Sequence, residues 1–147
     1  MNWIEFFKSF FDAKKDHINQ ILDAGGCREC WLQGEMYLHA KAKHKVLLTN
    51  ASSHKFDLSS GKGRMVAEIK ICGGDYQPKM QGLIEADVRK LENTPQAREK
   101  YMILVVDTRR VDTKTKLGKW LKTCKFGGDP ASQIPSTHFV AKIWKVA

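Results

Sequence analysis

No stretch of this chain approaches the roughly 20 consecutive apolar residues that cross a bilayer, so a membrane-spanning class is not expected. Its opening, Met1-Asn2-Trp3-Ile4-Glu5-Phe6-Phe7-Lys8, lacks the basic leader and apolar core of a secretory signal. A cytoplasmic location is the expectation, in a host cell if the chain is phage-encoded. Cysteine is scarce, and Cys27, Cys30, Cys72 and Cys124 show no framework spacing, which predicts free thiols rather than disulfides. Cys27 and Cys30 form half of a zinc pattern without a second Cys or His pair at finger spacing, and His17 and His39 are too scattered to complete it. Gly61-Lys62-Gly63 lacks the Walker spacing of a phosphate loop and reads as a turn. Repeats, low-complexity tracts and dividing linkers are missing too, so 147 residues read as a single domain over 1–147. Acid is in short supply: 16 Asp and Glu stand against 25 Lys and Arg, a formal charge of +9 with a pI near 9.5. That surplus favours an anionic partner, nucleic acid first and an acidic membrane surface second, over a plain solubility role.

What is present alternates between helical and strand patterns. Residues 2–23 carry Trp3, Phe7 and Phe10, then Ile4, Phe11, Ile18 and Leu22, at helical intervals, and Gly25-Gly26 ends the run. Core packing is the first reading of these rings, and a dimer contact the second. Residues 27–43 suggest a second helix with an apolar stripe of Trp31, Leu32 and Leu38. Glu35 falls on that stripe's face and is expected to point inward. A strand opens at Val46-Leu47-Leu48-Thr49, a turn follows at Asn50–Ser53, and two short strands flank Ser59-Ser60-Gly61-Lys62-Gly63. After a loop at 72–75, residues 79–93 read as a helix burying Met80, Leu83, Ile84, Val88 and Leu91, with Pro78 in its first turn. Asp87 lies on or beside that side and reads as structural, holding Arg64 or capping a loop. Tyr101–Val106 is an apolar run of central-strand type. A short helix over 113–124 and a final strand over 138–144 complete the order α, α, β, β, β, α, β, α, β, a small α/β domain with a mixed sheet.

One stretch concentrates the chemistry. Glu68 and Lys70 sit two apart in the apolar strand Arg64–Lys70, so both project to one face while Ala67, Ile69 and Ile71 project to the other. An acid and a lysine inside an apolar strand are costly unless paired or engaged with a ligand. The preceding strand brings Asp57 toward them. Asp57, Glu68 and Glu35 supply oxygens of the kind a hard divalent cation prefers, and Lys70 supplies charge for a water or phosphoryl group. The plain alternative is an ion pair on a solvated edge, with Asp57 shaping the turn.

Asp57, ten intervening residues and then Glu68-Ile69-Lys70 resembles the PD-(D/E)xK nuclease superfamily, the restriction-endonuclease-like fold. Phe56 stands where the nominal motif has proline. The resemblance implies an αβββαβ core over about 27–107 with a mixed central sheet, an extra N-terminal helix and a C-terminal helix-strand addition. It implies that Asp57 and Glu68 hold magnesium, with manganese able to substitute, and that Lys70 serves the attacking water. Glu35 would bind the metal directly or through water. The implied activity is hydrolysis of DNA phosphodiesters, as an endonuclease or nickase.

Two basic clusters suit such a substrate. Lys41, Lys43 and Lys45 form one; Arg109, Arg110, Lys114, Lys116, Lys119, Lys122 and Lys125 against Asp112 alone form the other. Lys62 and Arg64 lie in the turn between them. Patches of this kind grip phosphates without reading sequence. A small nuclease of this type is expected to act as a homodimer with one site per strand, or with a protein partner that supplies target specificity. The competing expectations are a catalytically inactive module on the same fold that binds nucleic acid or protein, and a ribonuclease.

Overall fold

The computed structural model describes residues 1–25, 28–50, 55–73 and 77–147. Cys27, the expected turn at Ala51–Ser53, His54, and the loop residues Gly74 and Asp75 lie outside them. Four helices and one six-stranded mixed sheet make up the described chain. In order these are α1 (Trp3–Asp23), α2 (Glu29–Ala42), β1 (Leu48–Thr49), β2 (Leu58–Ser59), β3 (Met65–Cys72), α3 (Gln77–Glu92), β4 (Glu99–Asp107), α4 (Lys116–Thr123), β5 (Ser132–Pro135) and β6 (Phe139–Lys145). The sheet order is β1-β2-β3-β4-β6-β5, and every neighbouring pair is antiparallel except β3 with β4. A parallel pair needs a crossover, and α3 provides it.

Local sequence explains the elements. Asn2 caps α1: its side chain accepts from the Glu5 N–H at 2.8 Å, and Glu5 Oε2 accepts from the Asn2 N–H at 3.0 Å. The α1 rings Phe6, Phe7, Phe10 and Phe11 are fully buried and Trp3 nearly so, so the aromatic stripe packs into this chain's own core. A 3-10 turn at Gly61–Gly63 joins β2 to β3, with Lys62 at φ 64° and Gly63 at φ 63°. Lysine in that left-handed region carries a strain that glycine does not.

Strand periodicity then sorts the sheet into two faces. Met65, Ala67 and Ile69 of β3, with Tyr101, Ile103 and Val105 of β4, pack against α1 and α2. Val66 and Cys72 of β3, with Met102, Leu104 and Val106 of β4, pack with the α3 residues Met80, Ile84, Val88 and Leu91 and with Leu117 and Leu121 of α4. Glu68 and Lys70 share the parity of this second set, so they look toward α3.

Three expectations shift. The strand expected at 46–49 is only Leu48–Thr49, and Val46 is exposed. Leu83 is exposed rather than buried, because the sheet-facing stripe of α3 runs Met80–Ile84–Val88–Leu91. Leu83 instead heads a flanking stripe, i, i+4, i+7, that continues to Asp87 and Lys90. Finally, β5 pairs the outer edge of β6 and was not anticipated. None of the helices among the described residues is long and apolar enough to cross a membrane.

Candidate functional site

The β2–β3 hairpin builds the site. Leu58 pairs with Ala67, and extending that antiparallel register by one residue sets Asp57 opposite Glu68. Asp57 is buried and firmly oriented: its Oδ2 accepts from the Ile69 N–H at 2.8 Å and its Oδ1 from Gln33 Nε2 at 3.2 Å. Gln33 belongs to α2, and its Oε1 in turn accepts from the Asn50 N–H at 3.2 Å. The amide therefore ties the second helix to both approaches of the hairpin.

Helix α3 supplies counter-charges crosswise. The Lys90 ammonium donates to Glu68 Oε1, and the Lys70 ammonium lies 2.8 Å from Asp87 Oδ2 and 3.7 Å from Glu29 Oε1. Glu68 and Lys70 are thus not paired with each other. Each reaches an opposite charge on the flank of α3 that faces them. Glu29 opens α2 and completes a two-carboxylate clamp on Lys70.

Six ionisable groups meet here, the carboxylates Glu29, Asp57, Glu68 and Asp87 and the ammoniums Lys70 and Lys90, so acid exceeds base by two. Burial pushes the Glu68 carboxyl up to about 8, and Asp57 within hydrogen-bonding reach pushes the same way, while Lys90 opposes them. Burial and Asp57 thus favour the protonated carboxyl, and Lys90 favours the ionised one. Burial also raises Glu29, against the pull of Lys70. Lys70 is raised above its ordinary range: burial alone would lower it, and Asp87 and Glu29 outweigh that. Asp87 Oδ2 is buried, and among the described residues its contact is the ionic one to Lys70.

The structure brings Asp57, Glu68 and Lys70 together as the spacing predicts. Glu35 does not join them. It pairs with Lys14 of α1 at 3.2 Å, because the buried stripe of α2 is Leu32, Gln33, Met36 and Ala40, and Leu38 is exposed. The acid that α2 delivers is Glu29, four residues before Gln33 on the same face. Asp87 holds Lys70 rather than Arg64, which is exposed. Sequence reading therefore missed Glu29, Gln33 and Lys90 and gave Asp87 the wrong partner. The i, i+4 spacing of Glu29 with Gln33 and the i, i+3 spacing of Asp87 with Lys90 are the signals that mark them.

Of the basic candidates, Lys41, Lys43, Lys62, Arg110, Lys114, Lys116, Lys119 and Lys122 are exposed. Arg109 is engaged: it donates to both carboxylate oxygens of Asp107, at 3.2 and 3.1 Å, and pairs with Asp23. Trp120 packs with Phe126, their ring centroids 6.1 Å apart. Cys30, Cys72 and Cys124 are free thiols, and burial pushes Cys72 up to about 12, which makes it unreactive.

The donor chemistry fits a hard cation. Magnesium keeps several waters and is commonly held by one or two carboxylates, and Asp57 and Glu68 present two facing carboxylates with surplus negative charge around them. Among the described residues no three of His, Cys, Asp and Glu converge on a single ion position. A magnesium ion here would rest on Asp57 and Glu68 with water completing its shell. No family model matches the chain, and neither a curated protein nor a solved structure matches it.

Proposed function

We propose that this chain is a metal-dependent nuclease of the PD-(D/E)xK type that hydrolyses DNA phosphodiesters as an endonuclease or nickase. The carrying observation is the juxtaposition of Asp57 and Glu68 across one hairpin, with Lys70 on the same face of β3. The order of elements supports it: a helix, three antiparallel strands, a crossover helix and a parallel strand follow the αβββαβ order of that superfamily. Exposed lysines at the end of α2 and along α4 supply the charge to hold a phosphate backbone.

Bound magnesium or manganese would supply Lewis-acid polarisation of a phosphoryl oxygen and a water of lowered pKa. The chain's own residues do the rest. Asp57 is held in one orientation by Gln33 and the Ile69 N–H, which fixes one oxygen donor before any ligand arrives. Glu68 supplies the second donor from the facing strand. Lys70, kept protonated by Asp87 and Glu29, would present a positive charge to the negative charge on the phosphoryl oxygens.

The test is supercoiled plasmid incubated with magnesium, with manganese and with EDTA, alongside single-stranded DNA and RNA. Metal-dependent nicking or cutting of DNA, lost in Glu68→Ala and in Lys70→Ala with the fold retained, is the expected result. Cleavage that survives EDTA or persists in both variants overturns the assignment.

A second reading has its own observation: both lysines are already engaged by carboxylates, so the cluster is partly self-neutralised. That favours a module that binds nucleic acid or protein without cutting. Tight, salt-sensitive DNA binding with no cleavage in any divalent metal selects it.

A further inference from the structure

We propose that the Lys90 ammonium is the resident counter-ion of the Asp57–Glu68 pair, and that Lys90 must leave Glu68 for a divalent cation to be held there. The inference rests on the metal-binding reading of this site. Lys90 donates directly to Glu68 Oε1 and so occupies the carboxylate that a cation between Asp57 and Glu68 would use. An ammonium and a divalent ion on one carboxylate repel each other across a short gap. One of them has to yield.

The side chain is built to yield. Glu68 is almost wholly enclosed, its side chain 4% exposed, whereas that of Lys90 is 39% exposed and so has an open path to water. Its four-carbon stem is flexible, and the ammonium is a compact charge that can swing without a fixed donor geometry. While it donates to Glu68, its Nζ also lies 4.7 Å from the centroid of the Phe56 ring, so a cation–π contact holds the ammonium on a second side. Phe56 stands at the position where the nominal motif has proline, so the departure from the motif and the extra lysine face each other. Lys70 does not play this part, because Asp87 and Glu29 already hold its ammonium and no contact joins it to Glu68 among the described residues.

Exchange of this kind leaves Glu68 paired with a cation when no metal is present and sets a threshold on metal affinity. It also leaves a mobile cation at the mouth of the site once Glu68 is occupied.

The experiment is calorimetric titration of the full chain with manganese chloride, comparing wild type, Lys90→Met and Lys90→Arg at constant pH and salt. Lys90→Met keeps the stem and removes the charge. It is expected to bind manganese about tenfold or more tighter than wild type, the scale of one charge-assisted hydrogen bond. Lys90→Arg keeps the competing charge and should show no such gain. In parallel, the Lys90 ammonium resonance of the wild type, assigned by its loss in Lys90→Arg, should move in step with magnesium saturation. This second readout stands even if Lys90→Met does not fold. If wild type binds manganese and Lys90→Met binds it equally or more weakly, or if the Lys90 resonance stays fixed at saturation, the exchange is overturned and the nuclease reading stands. If neither wild type nor Lys90→Met binds manganese, the exchange and the metal-binding reading fall together.

Discussion

Lys70 of β3 and Asp87 of α3 form an ion pair at 2.8 Å, and Glu29 of α2 closes on the same ammonium from 3.7 Å. Helix, strand and crossover helix are thereby joined at one charge. The side chains of Lys70 and Asp87 are only 15% and 18% exposed, so solvent screens the pair far less than a surface bridge.

Removing one partner should leave the other enclosed and uncompensated. Asp87→Leu is expected to lower unfolding stability by about 2 kcal/mol, and Lys70→Met by a similar amount. The double variant should recover at least about 1 kcal/mol of the summed loss, since the two residues share one interaction. Urea denaturation of the four proteins measures this. Strict additivity would mean that the ion contact contributes nothing.

The raised carboxyl of Glu68 carries a sign for pH. Between the ordinary value of 4.5 and the folded value of about 8, the folded chain binds a proton that the unfolded chain has released. Stability in metal-free buffer should therefore fall as pH rises through that window, by up to about 1.4 kcal/mol per pH unit. The slope should fade above about pH 8. Glu68→Gln, which cannot ionise, should flatten this segment of the profile. A wild-type profile that is already flat from pH 5 to 8 would show that Glu68 titrates as an exposed acid does.

Glu29 and Glu35 lie on one helix but in different surroundings, and their substitutions should separate. Glu35→Gln breaks only the partly exposed pair with Lys14 and should cost less than about 1 kcal/mol, with metal-dependent cleavage intact. Glu29→Gln removes half of the Lys70 clamp and should slow cleavage while leaving the melting temperature nearly unchanged. Equal loss of cleavage in both would return Glu35 to the site.

The exposed lysines Lys114, Lys116, Lys119 and Lys122 should contribute through charge alone. Replacing all four by glutamine is expected to reduce the slope of log affinity against log salt by up to about 3.6, with little change among duplex sequences. Fluorescence anisotropy on labelled duplexes at several salt concentrations gives the slope. An unchanged slope would place the nucleic-acid contact elsewhere.

Much of this arrangement is legible in the sequence, and the gaps have physical causes. The alternation of Met65, Ala67 and Ile69 with Val66, Glu68 and Lys70 gives the two faces of β3 before any coordinates are known, because strand parity is a local property. The continuous run Tyr101–Val106 announces a strand covered on both sides. Helix α2 misleads because part of its inward face is polar: Gln33 is buried for the sake of Asp57, while Leu38 is 57% exposed. An apolar stripe drawn through Trp31, Leu32 and Leu38 therefore turns the helix the wrong way and promotes Glu35 over Glu29. Strand β5 escapes notice because it is four residues long, ends in Pro135 and lies at the sheet edge, where proline is tolerated and apolar alternation is weak. The partners of Glu68 and Lys70 are hidden for another reason. Asp87 and Lys90 lie some twenty residues downstream and meet β3 only through the docking of a crossover helix, so their i, i+3 spacing marks a shared face without naming its partners.

That crossover also constrains the order in which the chain can acquire structure. A β2–β3 hairpin that collapsed against α1 and α2 before α3 arrived would bury one side of a strand while, on the other, Glu68 stood without its counter-charge and Lys70 had only Glu29. Docking of α3 supplies both opposite charges in a single event and covers Val66 and Cys72 at the same time. The hairpin and the crossover helix should therefore form and open as one cooperative unit, with amide protons of β3 and the inner face of α3 exchanging at matched rates.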